Sequence, residues 1–147
     1  MCPGSDEAAT SETKRKTDDM TNMRTAGSGD YSEIKRLVKL VKWANETGRD
    51  RLAESIESVI GQMPLSVTVR DGWREPGAPA YDGPEEFEIL LGTGGPAVRI
   101  WGTLGEYGEA DRVELQNQDW YTPWERVPFK TDADVLRAFC NHFYFGG

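Results

Sequence analysis

Carboxylates are the most numerous side chains with chemical reactivity in the middle of this chain. Residues 71–125 contain 12 acidic residues and three basic ones, Arg74, Arg99 and Arg112, whereas the whole 147-residue chain has a net charge of −8. Rows of carboxylates imitate the phosphates of nucleic acid, because they steer encounter with a basic surface and then compete for it. The segment therefore favours a protein partner with a basic surface. It disfavours direct binding of nucleic acid, which carries the same charge.

Metal-dependent hydrolysis is an alternative use of the same side chains. Glu86 and Glu88 share one face of a predicted strand, and Glu114 is expected on the same face of another. A metal-dependent hydrolase would use such carboxylates to hold a divalent ion. The lysine that a nuclease-like site would need is missing beside Glu114, so a solvated acidic strand face is the simpler interpretation.

Thiol and imidazole chemistry has weak support. Cys140 and His142 are two residues apart in a predicted helix, so their side chains point in different directions. Together with Cys2 they cannot complete the usual four ligands of a zinc site. We therefore expect no catalytic residue, no metal, no cofactor and a protein that is not an enzyme.

The glycine-rich stretch GTGGPAVRIW, residues 92–101, raises the question of phosphate binding. A Walker loop needs a lysine followed by serine or threonine, and a dinucleotide loop needs a helix directly after the glycines. Here a proline and an alternating strand come next instead. The stretch predicts the turn of a β-hairpin, where glycine adopts positive φ without steric cost.

Aromatic residues in the predicted loops offer a different kind of site. Trp73, Trp120 and Trp124 lie in or beside turns, among acidic residues. Such rings stack on sugars, anchor protein partners or close the ends of a sheet. A small-molecule or glycan-binding module that uses these three tryptophans is therefore a second alternative.

Helical periodicity appears at both ends of the chain. Asp30 and Glu33 fit a capping box before a helix that ends near Gly48, and a second helix follows, so residues 30–62 predict a helical hairpin. Thr131 and Asp134 fit a second capping pattern, which predicts a C-terminal helix over residues 131–145.

Strand periodicity occupies the region between the helices. Four apolar–polar alternations fall within residues 65–120, separated by turn residues and by the Gly- and Pro-rich loop 71–84. The expected fold is α+β, with an N-terminal helical hairpin, an antiparallel sheet of about four strands and a C-terminal helix packed on the sheet. Residues 30–147 form one domain in this interpretation.

Residues 1–29 predict a disordered arm, because they contain few apolar side chains. The first residues lack the apolar core of a secretory signal, and no apolar run approaches the ~20 residues of a membrane span. The two cysteines are far apart and do not suggest a disulfide framework. We expect a cytoplasmic protein that does not contact membranes.

The block EFEILLGTGGPAVRIWGTLGEYGEADRVELQNQDWYTPW and the FYFG ending resemble small proteins of unknown function from phages and prophages of Gram-negative bacteria. The resemblance covers about residues 65–147 and carries over no functional residue. It implies the cytoplasm of a bacterial host, where small acidic phage proteins of the anti-CRISPR or anti-restriction kind occupy host or defence proteins.

The leading hypothesis is therefore a non-enzymatic inhibitor that mimics DNA and occupies a basic, nucleic-acid-binding surface. Its carboxylates are expected to form one exposed wall with aromatic anchors. The predicted partner-binding residues are Glu85, Glu86, Glu88, Glu106, Tyr107, Glu109, Asp111, Glu114, Asp119, Trp120 and Trp124.

Overall fold

The computed structural model describes residues 25–77, 83–93 and 96–146. Within them lie three helices, α1 (Ser28–Glu46), α2 (Asp50–Gln62) and α3 (Ala133–Cys140). The strands are β1 (Ser66–Arg70), β2 (Glu86–Gly92), β3 (Ala97–Leu104), β4 (Ala110–Gln118) and β5 (Glu125–Arg126). These strands form one antiparallel sheet in chain order, so the predicted α+β class is confirmed. The two-residue β5 adds a fifth strand to the four that were expected.

The two faces of the sheet differ because alternate residues of a strand point to opposite sides. In the register, Ile89 of β2 lies opposite Ile100 of β3, which lies opposite Leu115 of β4, and all three are buried. The helices cover this inner face: α3 packs on β4, and α1 packs against both α2 and α3. The opposite face of the sheet, which we call the open face, carries the polar residues that alternate with the buried ones along each strand.

Helix α1 begins at Ser28, two residues before the predicted start. Gly27 adopts a positive φ of 94° and lies against Val98 of the sheet, which fixes where the helix can start. Asp30 is inside the first turn and does not cap the helix. Glu33 instead pairs with Arg36 at 2.6 Å, and this hydrogen bond lowers the pKa of the Glu33 carboxyl from its usual value. The predicted capping box is therefore wrong, and residues 1–24 of the predicted arm lie outside the described residues.

The link between α1 and α2 confirms the predicted stop at Gly48. This glycine has a φ of 72°. Its N–H donates to the Asn45 carbonyl, and the Arg49 N–H donates to the Ala44 carbonyl at 2.8 Å. This Schellman arrangement satisfies the last carbonyls of α1, so the chain reverses within a few residues.

Helix α3 is shorter than predicted at both ends. Its N-cap is Asp132, whose carboxylate accepts a hydrogen bond from the Asp134 N–H at 2.9 Å, so the predicted Thr131 cap is wrong. The helix ends at Cys140, and the next residues fold back over the core. There the Phe145 ring packs on Phe87 with centroids 4.5 Å apart.

The strands on either side of the glycine-rich stretch pair with each other. Strands β2 and β3 are antiparallel, with Gly92 opposite Val98, so a strand comes after the glycines as predicted. Gly94 and Gly95 themselves lie outside the described residues. A phosphate loop requires a helix N-terminus directly after its glycines, and β3 occupies that place in this chain.

Close packing at Gly102 gives a direct test of the sheet. A Cβ at this position would overlap the Arg112 carbonyl oxygen and the Phe87 ring. We expect Gly102→Ala to destabilise the fold by about 2 kcal/mol or more, measured by urea denaturation. The control is Gly61→Ala in α2, where nothing lies within 4 Å; it should stabilise the fold by ~0.5 kcal/mol. Equal stabilities for the two variants would contradict the packing described here.

Candidate partner-binding surface

The predicted partner-binding residues lie in three separate places. The open face holds Glu86, Glu88, Glu114 and Trp124, and one end of the sheet holds Glu85, Glu106, Tyr107, Glu109 and Asp111. Asp119 and Trp120 lie at the opposite end, in the turn after β4. Antiparallel strands place successive connections at alternate ends, so neighbours in sequence separate in space. The expected single wall of carboxylates is therefore not formed.

Arginines pair with all three glutamates that the prediction placed on the strands. Arg70 donates to Glu86 at 2.9 Å, and Arg99 donates to Glu88 at 2.6 Å. The third pair joins Arg126 to Glu114 at 3.6 Å. In each pair the two residues lie directly or diagonally opposite each other on neighbouring strands. Opposite charges in such positions are close enough to attract each other. Their negative charge is compensated locally, so the strands lack the free carboxylate row of a DNA mimic.

Arg99 is the centre of the open face. Its Nε donates to the Gln116 Oε1 at 2.8 Å, its Nη1 donates to Glu88, and its guanidinium lies 4.3 Å from the centroid of the Trp124 ring. Only 18% of the Arg99 side chain is exposed, which strengthens each contact relative to a fully solvated pair. Trp124, predicted as a free anchor, is instead occupied by this contact.

The metal alternative loses its geometric basis on this face. Glu86, Glu88 and Glu114 each face a different arginine, which competes for the oxygens that a metal would need. Within the described ranges, no group of three or more metal-ligating side chains stands close enough to hold an ion.

The glycan alternative lacks a shared site for its three rings. Trp73 follows β1, Trp124 lies on the open face, and Trp120 lies in the turn after β4. That turn is tightly held, because Asp119 and Thr122 exchange hydrogen bonds and Tyr121 adopts a φ of 64°. A cage of three tryptophans is therefore not formed, although the rings of Trp120 and Tyr121 stand side by side at 6.4 Å.

The thiol and the imidazole are also separate. Cys140 is free and fully buried, and burial raises the pKa of its thiol. His142 lies beyond the end of α3 and is exposed. A buried protonated thiol is a poor nucleophile, which agrees with the interpretation of Cys140 as a core residue.

The β3–β4 turn forms the end of the sheet where free carboxylates gather. The Gly105 N–H donates to the Glu109 carbonyl at 2.7 Å, and Gly108 supplies the positive φ of 79°. The Glu109 carboxylate accepts from the Tyr107 N–H at 2.9 Å, so this acid shapes the turn. Glu106 and Tyr107 project from it and are exposed.

Three further segments adjoin this turn. The Leu104 N–H donates to the Glu85 carbonyl at 2.8 Å, and the Glu85 carboxylate lies against Gly72 in the loop after β1. A depression of about 340 Å³ separates the turn from residues 143–146. We call the combined surface, residues 71–77, 83–85, 105–111 and 143–146, the hairpin end.

The hairpin end is acidic and aromatic. Its segments contain one basic residue, Arg74, against six acidic residues: Asp71, Glu75, Glu85, Glu106, Glu109 and Asp111. Three almost fully exposed rings lie among them: Trp73, Tyr107 and Tyr144. The prediction missed Tyr144, because the helical periodicity before it suggested that the helix continued. It also left out Asp71 and Glu75, which the sequence shows only as part of a loop.

Comparisons with known proteins found no relative: no protein-family model, curated protein or solved structure matches the chain. Among the described residues, none of the helices combines the length and apolarity that crossing a bilayer requires.

The central position of Arg99 predicts a large stability effect. We expect Arg99→Ala to lower the free energy of unfolding by about 2 kcal/mol, since it leaves Glu88 and Gln116 without their donor and Trp124 without its cation. Urea denaturation monitored by tryptophan emission measures the change. The matched control is Arg126→Ala, which removes a 71% exposed partner and should cost less than ~1 kcal/mol. Similar costs for both variants would mean that Arg99 does not organise the face.

Proposed function

We propose that this protein is a non-enzymatic binding protein that uses its hairpin end to occupy a basic, nucleic-acid-binding surface of another protein. The observation that carries the proposal is that the segments of the hairpin end contain six acidic residues and three exposed rings against one arginine, Arg74, which pairs with Asp71 at 3.3 Å. Carboxylates in this arrangement attract a cationic surface over several ångströms, and the rings bury apolar area once contact is made.

The contrast with the open face supports the choice of the hairpin end. A carboxylate that already has an arginine gains little from a second cation, because part of its charge is neutralised. Among the described residues, no ion pair engages Glu85, Glu106 or Asp111, so their carboxylates are available to a partner. The Arg137 guanidinium lies beside Asp111, where its Nη1 donates to the backbone carbonyl at 3.3 Å. Glu109 has a different role, since its carboxylate holds the turn that presents Glu106 and Tyr107.

The kind of partner is indicated by charge and by the resemblance to phage proteins. A surface that binds nucleic acid is rich in lysine and arginine, and a compact acidic end competes with phosphate for it. Inhibitors of host or defence proteins, including those of the anti-CRISPR kind, work on such surfaces. A partner of this class places the protein in the cytoplasm of a bacterial host, with no direct contact to nucleic acid or membrane.

Removing charge from the hairpin end tests the proposal. The variant Glu85→Gln/Glu106→Gln/Asp111→Asn keeps side-chain size and leaves the turn acid Glu109 in place. Binding is measured against the heparin-retained protein fraction of a bacterial lysate, which is enriched in basic nucleic-acid-binding surfaces. We expect the wild type to capture a protein from this fraction at low salt, and we expect the variant to bind at least roughly tenfold more weakly.

A charge-matched variant is the control for this experiment. Glu46→Gln/Glu54→Gln/Glu57→Gln removes the same number of charges from the exposed sides of α1 and α2 and should keep its affinity. Competition by a duplex oligonucleotide should release the captured protein, since both ligands use one surface. Equal losses in the two triple variants, or capture that DNA does not affect, would contradict the proposal.

The aromatic rings of the hairpin end supply a prediction that is independent of charge. We expect Tyr107→Ala/Tyr144→Ala to weaken capture by roughly tenfold or more, because exposed tyrosines at an interface act as binding hot spots. Tyr121→Ala, which removes an equally exposed ring at the opposite end of the sheet, is the matched control. Titration of each variant against the captured protein measures the difference. A greater loss in Tyr121→Ala would move the binding surface to the opposite end.

A further inference from the structure

Strand β1 exposes apolar side chains on the face that its neighbours bury. Val67 and Val69 lie opposite Ile89 and Phe87 of β2 in the register, so they share the inner face of the sheet. Yet Val67 is 36% exposed and Val69 45%, and Leu65 just before the strand is 61% exposed. The helices cover the inner faces of β2, β3 and β4, and that cover ends at β1.

The adjacent helix has an uncovered apolar margin as well. Leu52 and Val59 of α2 are exposed, although they flank the buried stripe formed by Ala53, Ile56 and Ile60. Residues seven apart lie on one side of a helix, so Leu52 and Val59 form a single margin. Only residues 63–65 separate α2 from β1.

Strand β1 is also an edge of the sheet. Its one strand partner in the described part of the chain is β2, so the outer row of backbone N–H and C=O groups has no strand beside it. Native proteins usually protect an edge of this kind with charged residues, prolines or a covering segment. Here the strand is Ser66-Val67-Thr68-Val69-Arg70, with its one charge at the end.

The charge distribution indicates which occupant fits this edge. Residues 63–70 contain no acidic residue, in a chain whose net charge is −8. The side of α2 that carries Leu52 and Val59 also carries the uncharged Ser55 and Gln62, by helical periodicity. Two copies of this acidic chain repel each other over much of their surface, and along this margin they can approach without bringing carboxylates together.

We propose that two copies of the chain associate through β1, with the strands antiparallel about a twofold axis at Thr68. This register pairs Val67 with the partner's Val69 on the inner face, and Ser66 with the partner's Arg70 on the open face. The sheets join into one continuous sheet, the outer backbone groups find partners, and the exposed valines are covered. A twofold contact needs a surface that is complementary to itself, and the strand Ser66–Arg70 meets this condition.

Mass measurement is the first test of the dimer. Sedimentation velocity on the full chain should give twice the protomer mass of 16.4 kDa. The variant Val67→Lys/Val69→Lys should give the protomer mass with an unchanged far-UV spectrum, because both side chains are already exposed. The control Tyr121→Lys, at the opposite end of the sheet, should remain a dimer. A wild type that sediments as a monomer overturns the proposal, and so does a dimer that persists in the double-lysine variant.

Crosslinking tests the register. In the Cys2→Ser background, Thr68→Cys should form a disulfide between copies on mild oxidation, since residues at the axis of antiparallel strands have Cα atoms about 5 Å apart. Arg70→Cys is the matched control: its two copies should be about 14 Å apart, at ~3.4 Å per residue, and should stay reduced. Crosslinking at position 70 but not at 68 would overturn the register.

Discussion

Cross-strand ion pairing on the open face determines where this protein keeps its free negative charge. The antiparallel register places an arginine beside Glu86, Glu88 and Glu114, and Arg99 ties three strands and the β4–β5 loop together through Glu88, Gln116 and Trp124. The carboxylates of Glu86, Glu88 and Glu114 are therefore part of the fold. In the described part of the chain Glu85, Glu106 and Asp111 have no arginine as an ion-pair partner, and the hairpin end brings them together, whereas Asp71 pairs with Arg74.

The inner face obeys a different constraint, which is close packing. At Gly102 the Arg112 carbonyl and the Phe87 ring approach within distances that a Cβ would prevent, and the Phe145 ring packs on Phe87. Gly27 has a positive φ and lies against Val98, which places the start of α1 directly on the sheet. Helices α1, α2 and α3 are of modest length, and they cover the central strands and stop short of β1. Val67 and Val69 of β1 are exposed because the layer of helices is narrower than the sheet. In the proposed dimer, the second copy of the chain covers them.

Much of the fold could be predicted because hydrophobic periodicity is local information. Alternation located β1 to β4, and helical spacing located α1, α2 and α3. The errors were at boundaries, where a single contact decides: Gly27 against Val98 moved the start of α1, and Asp132 replaced Thr131 as the cap of α3. Strand β5 has two residues, too few for any alternation to show.

The candidate site was harder to predict because register is not visible in one sequence. Glu88 has its arginine 11 residues away and Glu86 has its arginine 16 residues away, on neighbouring strands. The distribution of charged residues along the chain located the acidic segment correctly. It could not show which carboxylates pair with an arginine and which do not. Likewise, the sequence predicts that Trp124 is an exposed loop residue. In the structure the Arg99 guanidinium lies over its ring.

The most direct test of the central claim is the binding footprint on this chain. Backbone amide hydrogen exchange, compared with and without the captured basic protein, locates the contact without any substitution. We expect slower exchange in residues 105–111 and 143–146, with unchanged exchange in the open-face residues of β3 and β4 around Arg99. Protection centred on the open face or on residues 119–122, with the hairpin end unaffected, would contradict the claim that the unpaired carboxylates of the turns form the binding surface.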